Sequence, residues 1–278
     1  MLSKDLIEQP QIWNLVLEIS AQAIEVVAFS PYEDHSLIHE HIALANDEEN
    51  HLKAVEDAIY DNPLLLSDFK STTVLYDTKR FITIPSETLP LATTLLRKVF
   101  PTNSDDPTTV LTSNIPSLSM AIAFDVPNKM LGFLRRTFQH LTICHPLAPQ
   151  AAWLRSKYPG GNKGKTLINL RHNRLDIAVL GDRTPLLVNT FSIKTPMDAL
   201  YYVMAARHLN SLDADDEIFI AGDRELRTAV SALLREYVKF VMPAIFPSVM
   251  FRAGKASLGS PFEMILTPVV SDLIEHGE

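Results

Sequence analysis

Residues 166–196 read TLINLRHNRLDIAVLGDRTPLLVNTFSIKTP, and this stretch decides the fold. Three strand-like runs follow one another (Thr166 to Arg171, Leu175 to Leu180, Leu186 to Ile193), with a helix start directly behind them. Three signals mark that start. Thr195 is an N-cap residue, Pro196 fits the first turn because its missing N–H would be unpaired there, and Asp198 accepts at the third position. Met197, Leu200, Tyr201 and Met204 form the expected buried stripe of this helix. After the acidic loop Asp213 to Glu217, Ile218-Phe219-Ile220-Ala221 is short and wholly apolar, the pattern of a central strand covered on both faces. Gly222-Asp223 then turns into a long helix expected to bury Leu226, Val230, Leu233, Tyr237 and Val241. Strand, glycine turn and helix in succession mark an α/β architecture.

The same order stands near the N-terminus. Trp13, Leu15, Leu17 and Ile19 alternate with Asn14, Val16, Glu18 and Ser20, a period of two that predicts a strand with one drier face. Ser20 to Ala23 makes a turn, and Ile24 to Phe29 returns as a hairpin partner. The charged stretch Asp34 to Leu44 reads as an edge strand. Asn46 with Glu49 gives a capping box, Leu52, Val55 and Ile59 a stripe, and Asn62-Pro63 a stop. Thr72 to Tyr76 and Arg80 to Ile84 read as a β pair across Asp77-Thr78-Lys79. A second helical stretch runs from Pro85 and Ser86 to Phe100-Pro101. The chain thus uses a β-β-β-α-β-α unit twice.

Between the two units lies the polar boundary Pro101 to Pro107. Beyond it come one or two strands (Thr109 to Thr112, Leu118 to Phe124), and a helix from about Pro127 to Gln139 burying Met130, Leu131, Leu134 and Phe138. A short strand at Leu141 to Cys144 and a short helix within Pro146 to Tyr158, carrying Trp153, follow. The expected division is residues 1–107 as a first lobe, 108–164 as a middle segment with a small inserted subdomain and linker, and 165–278 as a second lobe.

At 278 residues, with 46% apolar and 21% charged residues, the chain has enough apolar side chain for a sizeable core. Its formal charge of −8 argues against a nucleic-acid partner, which calls for an excess of Lys and Arg on one face. Cys144 is the only cysteine, so neither an intrachain disulfide nor a cysteine-based metal cluster is expected, and a reducing compartment fits. Met1 to Trp13 lacks the apolar core of a signal peptide. No apolar run approaches the ~20 residues of a membrane helix. A cytoplasmic protein without membrane insertion is the expectation.

Several blocks carry a family resemblance. TTVLYDTKRFITIP (72–85) resembles a strand pair ending in a "tyrosine/phenylalanine…valine-proline" element; NIPSL (114–118) with IAFDVP (122–127) resembles a middle block. NTF (189–191), Thr195-Pro196, DALYY (198–202) and IFIAG (218–222) form the most distinctive stretch. As a set these are similar to a bacterial family of unknown function, domain-of-unknown-function family 3822, from about Trp13 to the last helix. The resemblance implies the actin-like ATPase (ribonuclease H-like) fold, for which two duplicated β-β-β-α-β-α lobes are the plan. It implies no assigned function, and none of its motifs is catalytic.

Members of that fold cradle phosphates on two hairpins, one opening each half. Each hairpin begins with an Asp shortly before a Gly or small residue, so that a carboxylate holds metal-bound water and backbone N–H groups approach the phosphate. Here the first hairpin reads Glu18-Ile19-Ser20-Ala21-Gln22, a loose echo. The second, Asn169 to Arg174, has neither carboxylate nor glycine, and Arg171, His172, Asn173 and Arg174 fill its turn. Bulky side chains obstruct phosphate, although arginines attract it. The adenosine-side glycine pair is reduced to Gly222, read as a simple strand-to-helix turn.

Other motifs carry less. PGGNKGKT (159–166) nearly matches a phosphate loop, but Pro159 replaces the first glycine and a strand follows where a helix must open. It reads as a basic linker. His35, His39 and His41 on one strand read as a solvated edge rather than a zinc site, and Cys144-His145 as a buried structural thiol beside its neighbour. Tyr201, Tyr202 and Trp153 are expected in packing, and no acyl-transfer nucleophile is present.

The reading is therefore a degenerate, pseudo-ATPase copy of the fold. No residue receives a catalytic, cofactor-binding or metal-binding role, and no cofactor is expected; ATP with magnesium is what a working copy would carry. The expected function is a non-catalytic scaffold or adaptor with a protein partner. The alternatives are a nucleotide-binding, ATPase- or kinase-like switch using Glu18 with Asp176 or Asp182, and a sugar or metabolite binder between the lobes.

Overall fold

The computed structural model describes residues 2–44, 50–102, 107–159, 164–171, 173–181, 185–251, 257 and 259–278. Three sheets organise it. The first contains β1 (Asn14–Ile19), β2 (Ala23–Phe29), β3 (Ile38–Ala43), β4 (Ser71–Tyr76) and β8 (Leu141–Cys144), in the order β3-β2-β1-β4-β8. The second contains β9 (Lys165–Arg171), β10 (Arg174–Leu180), β11 (Pro185–Ser192), β12 (Glu217–Gly222) and β13 (Val241–Pro243), in the order β11-β10-β9-β12-β13. In both, the hairpin strands are antiparallel and the remaining two pair in parallel. The third sheet joins β5 (Phe81–Pro85), β6 (Thr108–Ile115), β7 (Met120–Pro127) and β14 (Glu275–Gly277), in the order β14-β6-β7-β5.

The helices are α1 (His51–Tyr60), α2 (Ala92–Val99), α3 (Asn128–Thr137), α4 (Leu147–Lys157), α5 (Pro196–Leu209), α6 (Arg224–Leu234) and α7 (Phe262–Val270). Strand parity divides the core. Leu15, Leu17 and Ile19 pack outward with Val55, Ile59 and Met130, while Ile168, Ile177 and Ile220 pack outward with Ala199, Val203 and Val230. The opposite faces of both sheets share one central cluster. There Val16 and Val27 meet Leu167, Ala178 and Phe219 around Ala151 and Trp153 of α4 and Phe262 and Ile265 of α7. Trp153 and Phe262 meet edge to face at 5.3 Å. α4 and α7 therefore sit between the two main sheets.

Several sequence expectations are corrected. β1 has no wet face: it is central, and its alternation separates two buried clusters rather than core from solvent. β4 and β5 are both strands but do not pair; β5 leaves for the third sheet and pairs with β7. The edge strand starts only at Ile38, because His35 takes a left-handed conformation at φ 58°. The Asn46 to Glu49 capping box lies outside the described residues. On α5 the capping box at Thr195 and Asp198 is present, but the stripe is shifted. Met197 and Tyr201 are exposed, and Ala199, Val203 and Ala206 face the sheet, small side chains that let the helix approach. α6 ends at Leu234, whose carbonyl accepts from both Tyr237 N–H (3.0 Å) and Val238 N–H (2.9 Å), so Tyr237 is exposed and Val241 belongs to a strand.

Candidate functional site

The same strand parity that builds the central cluster carries five polar side chains into it. On β1 the inner residue after Val16 is Glu18; on β9, after Leu167, come Asn169 and Arg171; on β10, before Ala178, come Asp176 and Arg174. Glu25 continues the inner face of β2; on β3, His41 stands opposite it and His39 opposite Val27. Asp77 follows β4, and Glu263 enters from α7. The two hairpins thus meet through charges.

Arg171 Nη1 donates to both oxygens of Glu18 at 2.6 Å and also to Glu263. Its Nη2 lies 3.7 Å from Glu25 Oε1. Arg174 reaches Asp77 at 2.7 Å, Asp176 at 3.0 Å and Glu18 at 3.3 Å. Side-chain amides complete the network: Gln150 Nε2 donates to Asp176 at 2.7 Å and Asn169 Nδ2 to Glu263 at 2.7 Å. Glu18 and Asp176 are 2% exposed and Glu263 is fully buried, so these charges sit where an unpaired one would be most costly.

Burial works against the charge of both guanidiniums, but Glu263 and Glu18 around Arg171, and Asp176, Asp77 and Glu18 around Arg174, outweigh it and hold them protonated. Glu263 moves the other way. Burial lifts its carboxyl above the ordinary range, the charge of Glu18 and a hydrogen bond with it add to the lift, and Arg171 and Arg174 oppose it. Burial also lifts Glu25, yet hydrogen bonds from His39 and His41 and the charge of Arg171 bring it below its ordinary value.

The network floors a cleft of about 880 Å³ between the two hairpins. Ser20, Gln22, Lys79, Asn189, Thr190 and Asp223 line its polar walls, and Phe81, Phe100 and Phe191 its apolar ones. Lys79 Nζ donates to Ser192 Oγ at 3.4 Å. Gly222 closes the strand-to-helix turn at φ 99°, and a Cβ there would lie 1.9 Å from the Leu170 carbonyl oxygen. That glycine is required by the close approach of the second hairpin, not only by the turn.

The remaining sequence candidates fall elsewhere. Of the phosphate-loop look-alike, Lys165 and Thr166 open β9, and Lys165 pairs with Glu217 at 2.5 Å. His39 and His41 both bind Glu25 (3.1 and 2.8 Å), while His35 lies off the strand; among the described residues no group of three or more His, Cys, Asp or Glu is placed to hold a metal. Cys144 is buried beside Ser113, and burial pushes its thiol up to about 12. His145 turns its ring away, Nε2 donating to the Thr78 carbonyl at 3.2 Å and Nδ1 accepting from Leu147 N–H at 3.3 Å. Asp182 and His172 lie outside the described residues. Sequence reasoning missed Glu263, Asp77 and Gln150. A lone Glu inside the apolar run FEMILTPVV was the signal for the first.

No curated protein sequence matches the chain. Among solved structures it is similar to a Bacteroides thetaiotaomicron protein with actin-like ATPase fold and unknown function. That match has 16% identity and a TM-score of 0.71, covering 86% of this chain and 93% of that one. It is also similar to a chain of the PilM–PilN type IV pilus biogenesis complex, at 11% identity and a TM-score of 0.54, covering 96% and 100%. The first likeness establishes an actin-like ATPase fold. The profile of the family described as "Protein of unknown function (DUF3822)" matches residues 4–241, and the chain belongs to that family.

Proposed function

We propose that this chain is a non-catalytic scaffold or adaptor, a pseudo-ATPase in which the two phosphate hairpins bind each other instead of a nucleotide. The observation that carries this reading is the pairing of Arg171 and Arg174, on the second hairpin, with Glu18 on the first. A magnesium nucleotide needs a free carboxylate to hold metal-bound water and unencumbered donors for phosphate. Here Glu18 accepts from two guanidiniums, and those guanidiniums face five carboxylates: Glu18, Glu25, Asp77, Asp176 and Glu263. The local excess of negative charge disfavours a polyphosphate. The residues present do not fit the group.

The shared strand order of the two main sheets supports an internal duplication. On that basis the first lobe is built on residues 1–107 and completed by β8, and the second on 165–278. That a neighbour of the same fold was solved as a complex of PilM with PilN supports a protein partner for this one. No helix among the described residues is long and apolar enough to cross a membrane, and the one thiol is buried; both support a cytoplasmic setting.

A second reading has its own observation. Arg174 and Thr190 line the cleft, and their buried Nε and Oγ1 atoms lack hydrogen-bond partners among the described residues; a cleft of this size suits a small molecule. In that reading the protein is a metabolite-binding or nucleotide-dependent switch. Calorimetric titration with ATP and ADP, with and without magnesium, separates the two nucleotide outcomes. Flat traces are expected. Magnesium-dependent binding tighter than ~100 μM, about −5.5 kcal/mol, would overturn the scaffold reading and call for Glu18→Ala as the next variant.

A further inference from the structure

The second sheet ends at β11, and among the described residues no strand pairs with its far edge. The backbone shows which groups that edge offers. Ile193 N–H donates to the Asn173 carbonyl, on the β10 side, at 2.8 Å. Thr190 N–H instead donates to the side chain of its own neighbour, Asn189 Oδ1, at 2.9 Å. Alternate residues of an antiparallel edge strand turn their amide groups toward and away from the partner strand, so Val188, Thr190 and Ser192 turn theirs away from β10. The cleft meets the strand at this edge. Asn189, Thr190, Phe191 and Ser192 all line it, and consecutive strand residues, whose side chains alternate between faces, meet one cavity along an edge. We propose that β11 is the docking site of the protein partner, which adds an extended segment to it as a further strand of the second sheet.

Exposed edges template pairing with other chains, and proteins blunt them with charge, proline or shortness. The other edges of the three sheets are blunted in this way. β3 carries His39, Glu40 and His41, β5 ends on Pro85, β8 has four residues, and β13 and β14 have three each. β11 has eight residues and no charged one. Its surroundings specify the occupant. On the face toward α5, Phe191 stacks on Tyr202 at 4.5 Å, and Tyr201 meets Tyr202 at 5.3 Å. This line of rings runs from the strand edge onto the helix, where Tyr201 is 67% and Met197 57% exposed. The partner segment presents apolar side chains to it. Side chains of the added strand that alternate with these enter the cleft beside Thr190 and Ser192. Glu18, Glu25, Asp77 and Asp223 line that cleft against Lys79, Arg171 and Arg174, and Asp176 stands opposite Thr190 on β10. Lysine or arginine suits these positions. The occupant is thus an extended segment in which apolar and basic residues alternate. The site rests on the scaffold reading, to which it adds a location and a chemistry for the partner.

A fluorescently labelled synthetic peptide alternating lysine and valine, titrated into the full chain, tests the site, with amide exchange followed in parallel. Saturable binding is expected, with added protection at the Val188, Thr190 and Ser192 amides. Thr190→Pro removes an N–H that faces away from β10, so the sheet keeps its own ladder, and binding should weaken at least about tenfold. Tyr201→Ser, at an exposed position, should also weaken it, and carries the test alone if Thr190→Pro fails to fold. A peptide N-methylated at every amide, or one with glutamate in place of lysine, should not bind. Absence of wild-type binding, unchanged affinity in the folded variants, or equal binding of either control peptide would each overturn the proposal. Dimerisation that protects the same amides without peptide would overturn it too, since the occupant would then be a second copy. Flat titrations with both peptide and nucleotide would remove this site and leave the scaffold reading standing. Magnesium-dependent nucleotide binding would remove the reading itself.

Discussion

His145 is held neutral by its surroundings. Its ring packs against Phe81 at 4.3 Å and Phe124 at 5.6 Å, and both nitrogens are committed to backbone. Burial pushes its pKa down to about 4, while the unfolded imidazole titrates near 6.5. The unfolded chain therefore takes up a proton before the folded one. The stabilising effect of the neutral ring is complete above pH 6.5, declines as pH falls toward about 4, and levels off below, by roughly 3 kcal/mol at most. Urea midpoints measured from pH 7 to 5 should fall in the wild type and fall less steeply in His145→Gln. Equal slopes would show that His145 is not the group responsible. Arg171 is a second residue-scale case. Replacing it by Met leaves Glu18 and Glu263 buried without their main counter-charge, a change expected to destabilise by about 3–5 kcal/mol, measurable in the same urea experiment.

At the level of elements, Gly222 makes the sharpest prediction. Its φ of 99° and the 1.9 Å that would separate a Cβ from the Leu170 carbonyl leave no room for any side chain. Gly222→Ala should lose about 3 kcal/mol or more of stability and part β12 from β9, visible as faster amide exchange at Asp223, whose N–H donates to Leu170 at 2.7 Å. The sequence showed that a glycine turn stood here, because strand and helix patterns flank it, but not that Leu170 presses against it. The same limit explains the other misses. Local periodicity located most strands, since alternation and turn residues are local properties. It could not show that β5 leaves its neighbour for another sheet, because pairing is decided by partners far along the chain. Nor could it phase α5: Met197 and Tyr201 fit a helical stripe with Leu200 as well as Ala199, Val203 and Ala206 do, and it is the latter that the structure buries. The two arginines of the second hairpin were legible as unusual turn residues. Their partners were not, because Asp77, Gln150 and Glu263 come from three separate elements.

For the molecule as a whole, the two sheets share one central cluster with α4 and α7 lying between them, and one ion network joins the hairpins at its edge. An apolar cluster common to both sheets gives adhesion without direction. The Glu18–Arg171–Arg174–Glu263 set adds a fixed register between the hairpins. The central claim is that the hairpins are coupled to each other, and a double-mutant cycle measures that coupling. Urea unfolding of wild type, Glu18→Gln, Arg171→Met and the double variant gives the interaction free energy directly. The account predicts a coupling of at least about 1.5 kcal/mol. Single effects that add to within about 0.3 kcal/mol would contradict it.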